Sequence, residues 1–481
     1  MTTLREELAA ICARAEPGLG ASRLEVAAVR TRLEEPALRL AVAGRLKAGK
    51  STLVNALLGQ HLAATDATEC TMVVTWYRYH PCNRVEVHLR DGSTWIIPAA
   101  DDGGLPASLG CPVGDVARVV LEAGNERLRH SHVIIDTPGM DSLSHLDEDS
   151  LAAIAEADAL LYVMPLPTGN DLEVLAGVRA ALAGSRMSAA NVIGVLSRID
   201  ELGSGGAPWE TAPGIAAGYA TRLRGLVGTV IPLLGKLAET VSAGRYSDPD
   251  TQLLRALADA DPAASRKGMY SPGQFLGWAD APVDRPGRER LLDMLGMYGL
   301  REAIATIRTG QRTTPAIREH LRRQSGLDGL LAAIQDNVTR PADRLRADIA
   351  LSQLKRVVPS SERGLTAELG EFRKRPAMRQ TALVDALIEL SQGHYHLEPD
   401  DAAALIALAT GGDPASLLRL PPGTPPSEIA DRAKDEHKRW KILDAQSHSG
   451  ALQDHAHSAM EVCLALYLAA CQEAPQENRP A

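Results

Sequence analysis

The stretch that decides the fold reads Gly44-Arg45-Leu46-Lys47-Ala48-Gly49-Lys50-Ser51-Thr52. It fits the pattern G-x-x-x-x-G-K-[ST], in which glycines let backbone N–H groups approach phosphate oxygens closely. In this pattern Lys50 supplies a positive charge for the outer phosphates, and Ser51 offers a hydroxyl to Mg²⁺. An apolar run at 38–43 precedes the loop and a helical pattern at 52–58 follows it. We therefore predict that the nine quoted residues bind a nucleotide through its phosphates.

A second motif follows another apolar run and reads Ile135-Asp136-Thr137-Pro138-Gly139. It places a carboxylate at the end of a buried strand and a D-x-x-G turn directly after it. In phosphoryl-transfer sites such a carboxylate holds the metal ion through water, and the glycine amide senses the γ-phosphate. The sequence thus predicts Asp136 on the metal side of the site and Gly139 on the γ-phosphate side.

A third motif, Ser197-Arg198-Ile199-Asp200, lies at the end of the apolar run 192–196. A carboxylate such as Asp200 can accept both N–H groups of guanine, and adenine offers no such donor pair. Gly235 follows the run 227–233, where a further base-contacting loop is expected. We predict that the base is guanine, bound by Ser197, Arg198, Asp200 and Gly235, so that the nucleotide is GTP.

In order and spacing these motifs resemble those of GTPases, and more narrowly the dynamin-like family of its bacterial isoniazid-inducible type. The resemblance includes the stretch Ala64-Thr65-Asp66-Ala67-Thr68-Glu69-Cys70-Thr71-Met72 and the strand-like residues 73–78 after it. It implies that residues 68–78 are the first switch, with Thr71, or alternatively Thr68, as a metal ligand beside Ser51 and Asp136. It also implies GTP hydrolysis with Mg²⁺ and catalytic roles for Lys47, Lys50, Thr71 and Gly139. The resemblance is firm over residues 36–243 and thinner over 291–301.

The base motif and position 47 depart from or vary within the family pattern. The base motif of most GTPases is [NT]-K-x-D, whereas here Ser197 and Arg198 occupy its first two positions. The planar guanidinium of Arg198 could stack on the base as the usual lysine stem does. Lys47 matches the position at which the similar guanylate-binding proteins carry an in-cis arginine, so it is either a cation for the transition state or a solvent-exposed charge.

The fold class that follows is α/β, with a P-loop GTPase domain and a mostly parallel sheet over residues 36–243. Further strands are expected at 133–135 and 159–164, and a meander of three strands at 73–77, 85–89 and 94–97. Residues 1–35 read as two helices that join a stalk. Residues 244–481 read as an all-helical, stalk-like bundle of five to seven helices.

The composition of the chain argues against some classes of function and some cellular locations. The chain has 481 residues, a net charge of −9 and 3% aromatic residues, which argues against a nucleic-acid partner. No apolar run approaches the length of a spanning helix, and the first residues do not resemble a signal peptide, so we expect a cytoplasmic protein or one peripheral at the inner face of the cell membrane. The six cysteines show no paired spacing and are expected as free thiols.

The most specific function that fits is a dynamin-like GTPase that couples hydrolysis to conformational change in membrane-associated assemblies. The resemblance implies three kinds of partner: GTP and GDP, another dynamin-like protein in a homo- or hetero-oligomer, and an anionic membrane surface. Two alternatives stay open at this point: a weakly hydrolysing GTP-binding scaffold subunit of a hetero-oligomer, and a cytosolic assembly GTPase.

Overall fold

A computed structural model of the chain describes most of its residues. The described residues are 3–63, 72–106, 108–130, 132–139, 148–165, 169–181, 191–201, 208–223, 226–373, 375, 378–379, 383, 386–387, 389–390, 395–410, 413–447 and 449–473. The two candidate switch threonines, Thr68 and Thr71, lie outside these ranges.

Two helices open the chain, α1 (Leu4–Ala15) and α2 (Arg23–Glu34). Thr3 starts α1 with a reciprocal cap: its hydroxyl accepts from the Glu6 backbone N–H, and the Glu6 carboxylate accepts from the Thr3 N–H. Both helices bury apolar side chains against the later helix α15 (Ala342–Val357). The N-terminal segment and residues 342–357 therefore share one small core.

A nine-stranded sheet forms the centre of the molecule. In space the strands run in the order β4-β3-β5-β2-β6-β1-β7-β8-β9, with β6, β1, β7, β8 and β9 all parallel. The meander strands β3 and β4 pair antiparallel at one edge. The strands are β1 (Leu38–Gly44), β2 (Thr75–Tyr79), β3 (Arg84–Leu89), β4 (Thr94–Pro98), β5 (Val116–Ala123), β6 (His132–Asp136), β7 (Ala159–Met164), β8 (Val192–Leu196) and β9 (Thr229–Pro232).

The mostly parallel α/β sheet confirms the predicted fold class. Each apolar run proposed as a strand contains one, although the run at 227–233 is reduced to β9. The sequence reading missed β5, which pairs with both β2 and β3 in the middle of the meander half. Among the described residues, the helices that accompany these strands are α3 (Lys50–Leu58), α4 (Glu126–His130), α5 (Glu148–Ala155), α6 (Gly169–Ala181), α7 (Pro208–Arg222) and α8 (Gly235–Ser242).

The rest of the chain is helical, as expected, but the estimate of five to seven helices was too low. The described residues after 243 form twelve: α9 (Asp248–Asp259), α10 (Pro262–Gly268), α11 (Pro272–Leu276), α12 (Arg285–Arg308), α13 (Thr314–Ser325), α14 (Leu327–Ile334), α15, α16 (Arg363–Arg373), α17 (Pro399–Thr410), α18 (Pro414–Leu417), α19 (Pro426–Gln446) and α20 (Gly450–Glu473). Several are short because a capping side chain followed by proline starts a new helix within a few residues, as at Asp261, Ser271 and Asp413.

The apolar core continues from the sheet into these helices. On one face, side chains of the sheet such as Ile135 and Tyr162 belong to the same buried cluster as Leu291, Leu300 and Leu321 from α12 and α13. On the other face, α3 packs in a cluster that reaches α14. Buried residues from both sides of position 243, at which the sequence predicts a domain boundary, therefore pack in the same clusters.

No helix among the described residues combines the length and the apolarity that crossing a bilayer requires.

Candidate functional site

The loop between β1 and α3 has a backbone shape that only glycine permits at its first position. Gly44 has φ +147°, and a Cβ there would lie 2.2 Å from the Val163 carbonyl oxygen of β7. Gly49 has φ +97° and precedes the first residue of α3. The two glycines let the loop turn sharply and direct it into the N-terminus of α3, where backbone N–H groups and the helix dipole favour phosphate.

Lys50 lies across this loop and is only 8% exposed. Its Nζ donates hydrogen bonds to the carbonyl oxygens of Gly44, at 3.3 Å, and Arg45, at 3.1 Å. The ammonium is thus held over the concavity by two weak acceptors. Phosphate oxygens, which carry charge, are stronger acceptors for the same group.

Ser51 and Asp136 are brought together, as the motif spacing predicted. The Ser51 hydroxyl, in the first turn of α3, donates to Asp136 Oδ2 at the end of β6, with an oxygen–oxygen distance of 3.1 Å. Asp136 Oδ1 is enclosed and has no hydrogen-bond partner among the described residues. Burial raises the pKa of Asp136 to about 6, while the Lys50 charge and the Ser51 hydrogen bond act to lower it.

This donor set fits Mg²⁺. The ion prefers oxygen ligands and usually binds through one or two protein groups together with water and substrate phosphates. A hydroxyl and a carboxylate beside the phosphate loop provide such oxygens, and the unpartnered Oδ1 leaves the carboxylate with an unused acceptor. Thr71, predicted as a third ligand, lies outside the described residues.

The turn after Asp136 packs directly on the phosphate loop. A Cβ on Gly139 would lie 2.7 Å from the Cα of Leu46, so this close approach also needs glycine. Thr137, which precedes it by two residues, is fixed by its hydroxyl, which donates to the Val42 carbonyl at 3.1 Å. The structure therefore places Gly139 beside the loop at which the sequence predicted a γ-phosphate contact.

The base motif is tied to the phosphate loop by two side chains. Ser197 Oγ donates to the Ala48 carbonyl at 2.8 Å, and Arg198 Nη2 donates to the Lys47 carbonyl at 2.7 Å. Lys47 and Arg198 both adopt positive φ, +59° and +53°, which is uncommon for residues with side chains. Ser197 and Arg198, the two residues that depart from [NT]-K-x-D, thus hold the base motif against the phosphate loop through hydrogen bonds.

Asp200 and Gly235 line one cavity of about 640 Å³, together with Arg198 and the loop residues Ala48 and Gly49. A Cβ on Gly235, the first residue of α8, would lie 3.7 Å from Thr52 Cγ2, so α8 begins beside the start of α3. The structure therefore brings all the predicted base-contacting residues to the cavity that continues from the phosphate loop. Lys47 is exposed at the edge of the loop.

Two groups of residues at the site were missed from the sequence: the partners of Arg45, itself a predicted loop residue, and a group from the helical part. Arg45 extends from the loop to Asp171 of α6, with 3.2 Å between Nε and Oδ1, and the buried Asp171 also accepts from the Tyr162 hydroxyl at 3.3 Å. Burial and the Asp171 charge raise the pKa of Tyr162. The other group, from the helical part, comprises Tyr270, Gly296 and Arg301, which line the cavity. An aspartate in the first turn of α6, the helix after the fully apolar strand β7, is a local signal for the ion pair.

Comparison with known proteins gives consistent matches. The family model of the 50S ribosome-binding GTPase matches residues 39–189. Isoniazid-induced protein IniC of Mycobacterium tuberculosis is 34% identical over 339 residues, which cover 68% of each chain. The bacterial dynamin-like protein of Nostoc punctiforme is 32% identical over 144 residues, 27% of this chain and 21% of that one.

Among solved structures, one of an oligomerised bacterial dynamin pair aligns over 98% of this chain and 75% of its own chain. That pair is described as providing a mechanism for the long-range sensing and tethering of membranes. The identity is 14% and the TM-score 0.34.

Proposed function

Because this chain belongs to the dynamin-like GTPases of the isoniazid-inducible type, we propose that it binds GTP with Mg²⁺ and hydrolyses it to GDP and phosphate. The observation that carries the proposal is the hydrogen bond between Ser51 and Asp136 beside the buried ammonium of Lys50. Two oxygen ligands and one cation lie around a loop shaped for phosphates. This is the set of groups that phosphoryl transfer to water uses.

The phosphates would occupy the concavity of residues 44–51, where Lys50 exchanges its two carbonyl acceptors for β- and γ-phosphate oxygens. Ser51 and Asp136 would hold Mg²⁺, which neutralises charge on the phosphate oxygens when bound. Gly139, which packs on Leu46, would offer its N–H to the γ-phosphate. Binding and release of that phosphate would then move the turn that follows Asp136.

Guanine would enter the cavity lined by Asp200. Its carboxylate can accept from the two guanine N–H donors, while Ser197 and Arg198 keep the motif against the phosphate loop. Adenine lacks this pair of donors, so it would forgo the two charge-assisted hydrogen bonds that guanine makes to the carboxylate. We therefore infer that the protein prefers GTP to ATP.

For the coupling of hydrolysis to larger movements, we propose a route through the junction of sheet, α2 and α15. Asp158, directly before β7, accepts from Arg32 Nη2 at 2.7 Å and from the Arg39 backbone N–H at 2.8 Å. Arg346 of α15 donates to the Glu35 carbonyl at 2.7 Å. Since α5 connects the segment after Gly139 to Asp158, a shift in that segment would be transmitted to this junction.

We also propose, on family grounds, that the protein assembles with other dynamin-like chains and contacts an anionic membrane.

The test is phosphate release by purified protein with GTP or ATP, each with and without Mg²⁺, with Lys50→Ala as the matched inactive control. We expect release from GTP with Mg²⁺ and little from ATP. Single-turnover measurements, with protein in excess over GTP, separate the alternatives: tight binding without release would favour the scaffold subunit. Co-sedimentation with anionic liposomes, with and without GTP, tests the membrane proposal.

A further inference from the structure

The nucleotide cavity has a second wall that comes from outside the recognised motifs. One wall consists of the phosphate loop, the base motif and the start of α8. The other consists of residues 270–272, which lead into the start of α11, and of residues in the middle of α12, from Leu292 to Arg301. The helical part of the chain therefore encloses the base end of the cavity.

A break in α12 fits this second wall to the base motif. Gly296 interrupts the helix with φ +63° and ψ 177°, a conformation that is essentially limited to glycine. A Cβ on Gly296 would lie 3.7 Å from Asp200 Oδ2. The helix backbone thus reaches the carboxylate that we assign to the guanine edge, so the second wall lies at the base and not at the phosphates.

Tyr270 is the aromatic side chain of residues 270–272, and 76% of its surface is exposed. Its backbone is held, because Arg301 Nη2 donates to the carbonyl oxygens of both Met269 and Tyr270, each at 3.0 Å. The next residue, Ser271, caps α11 by accepting from the Gln274 N–H. The Tyr270 hydroxyl has no hydrogen-bond partner among the described residues. The Tyr270 ring therefore has a fixed backbone and an uncovered face, and it lines the cavity in which we place the planar base.

We propose that Tyr270 stacks on the bound base, with Arg301 as the residue that positions it. The inference rests on the proposed function and adds a base contact from the helical segment. Stacking on a π-face does not distinguish one purine from another, because every base offers the same kind of face. Tyr270 therefore contributes affinity, while guanine preference stays with Asp200.

This division of roles gives a specific signature in binding. Calorimetric titration with unlabelled GDP and with ADP, both with Mg²⁺, gives two dissociation constants for each variant. We expect Tyr270→Ala to weaken both by at least about fivefold and to leave their ratio unchanged. Tyr270→Phe, which keeps the ring, should bind within about twofold of wild type. Asp200→Asn serves as the opposite control, since it should change the ratio.

A double-mutant cycle tests the role of Arg301. If Arg301 acts through Tyr270, Arg301→Ala weakens GDP binding in the wild-type background and has little further effect in Tyr270→Ala. Arg301→Lys, whose ammonium can still donate to the two carbonyls, should recover part of the loss. Additive losses would contradict the positioning role.

The outcomes separate this inference from the proposed function. Wild-type protein that binds no nucleotide overturns both. Wild-type protein that binds GDP, together with a Tyr270→Ala variant that binds it equally well, overturns the stacking inference and leaves the GTPase proposal standing.

Discussion

The Ser51 hydroxyl and the Asp136 carboxylate, 85 residues apart in the chain, are joined by a hydrogen bond of 3.1 Å. They come from the first turn of α3 and the last residue of β6, and β6 is the parallel neighbour of β1, which leads into the phosphate loop. Sheet register therefore sets the distance between the two groups that we assign to Mg²⁺.

Removing the hydroxyl should impair the metal-dependent reaction. We expect Ser51→Ala to lower GTP turnover by about tenfold or more, because one of the protein oxygens for Mg²⁺ is lost. The loss should be partly recovered at high Mg²⁺, and chelation of the metal should abolish turnover in wild type. Ser51→Thr keeps the hydroxyl and is the matched control. Equal turnover and equal Mg²⁺ dependence in Ser51→Ala would argue against the metal assignment.

Lys50→Ala should abolish detectable nucleotide binding. The ammonium of Lys50 is nearly buried and lies over the phosphate concavity, and Lys47 is exposed at its edge. The measurement is the rise in thermal unfolding midpoint on adding GDP, which should be present in wild type and absent in the variant. An unchanged affinity for GDP would refute the phosphate-loop assignment.

Asp200→Asn should reduce the preference for guanine. An amide cannot accept two N–H bonds as a carboxylate does, and a charge-assisted bond contributes about 1.5–3 kcal/mol, which is roughly tenfold or more in affinity. Competition between GTP and ATP for each protein measures the preference. If wild-type protein already binds GTP and ATP equally well, the guanine assignment is contradicted without the variant.

Lys47 is predicted to act on the rate and not on binding. An extra cation near the transferring phosphoryl group can increase its rate by about 10³–10⁵. Because Lys47 has φ +59°, Lys47→Asn is a better test than Lys47→Ala, since asparagine tolerates this conformation. We expect turnover at saturating GTP to fall at least about tenfold, with the dissociation constant for GTP within a few-fold of wild type. Unchanged turnover across a range of protein concentrations would assign Lys47 to the solvent-exposed alternative.

His132 should make the fold sensitive to mild acid. Burial lowers the pKa of this histidine from its usual value near 6.5, and the charge of Asp158 opposes the shift. Below about pH 6.5 the unfolded chain therefore binds more protons at this position than the folded chain, and stability falls as the pH falls. The thermal midpoint should drop less between pH 7.5 and 5.5 in His132→Gln than in wild type. An identical drop in both proteins would show that other groups account for it.

The strands that position the site were predictable because they are continuous apolar runs buried on both faces. The carboxyl ends of parallel strands meet at one edge of the sheet, so the order of motifs along the chain was enough to group Ser51, Asp136 and Asp200. None of this grouping required knowledge of distant contacts.

The missed strand β5 shows a limit of predicting strands from local apolar patterns. Its run Val116–Ala123 contains Arg118 and Glu122, which interrupt the apolar pattern. In the fold, Arg118 lies 5.2 Å from the centre of the Trp76 ring, and Glu122 pairs with two arginines on neighbouring strands. These charges are accommodated by cross-strand partners that no local window contains.

The same limit applies to the second wall of the cavity. Tyr270 and Gly296 are 70 and 96 residues beyond Asp200, and only the packing of α12 against the sheet brings them to it. Arg45 and Asp171 likewise meet because α6 follows β7, the strand next to the phosphate loop. Tertiary packing determines which of these residues meet, and the motif pattern does not indicate it.

The core that runs from the sheet into α12 and α13 determines where the chain can be shortened. A fragment that ends at residue 243 would carry every recognised motif but would expose Leu237 and Val241 of α8, which are buried in the full chain. Each buried aliphatic side chain contributes about 1.5–3 kcal/mol to folding, so such a fragment loses much of the stability of its own sheet. The smallest piece able to fold and bind nucleotide is therefore defined by where this core ends and not by where the motifs end.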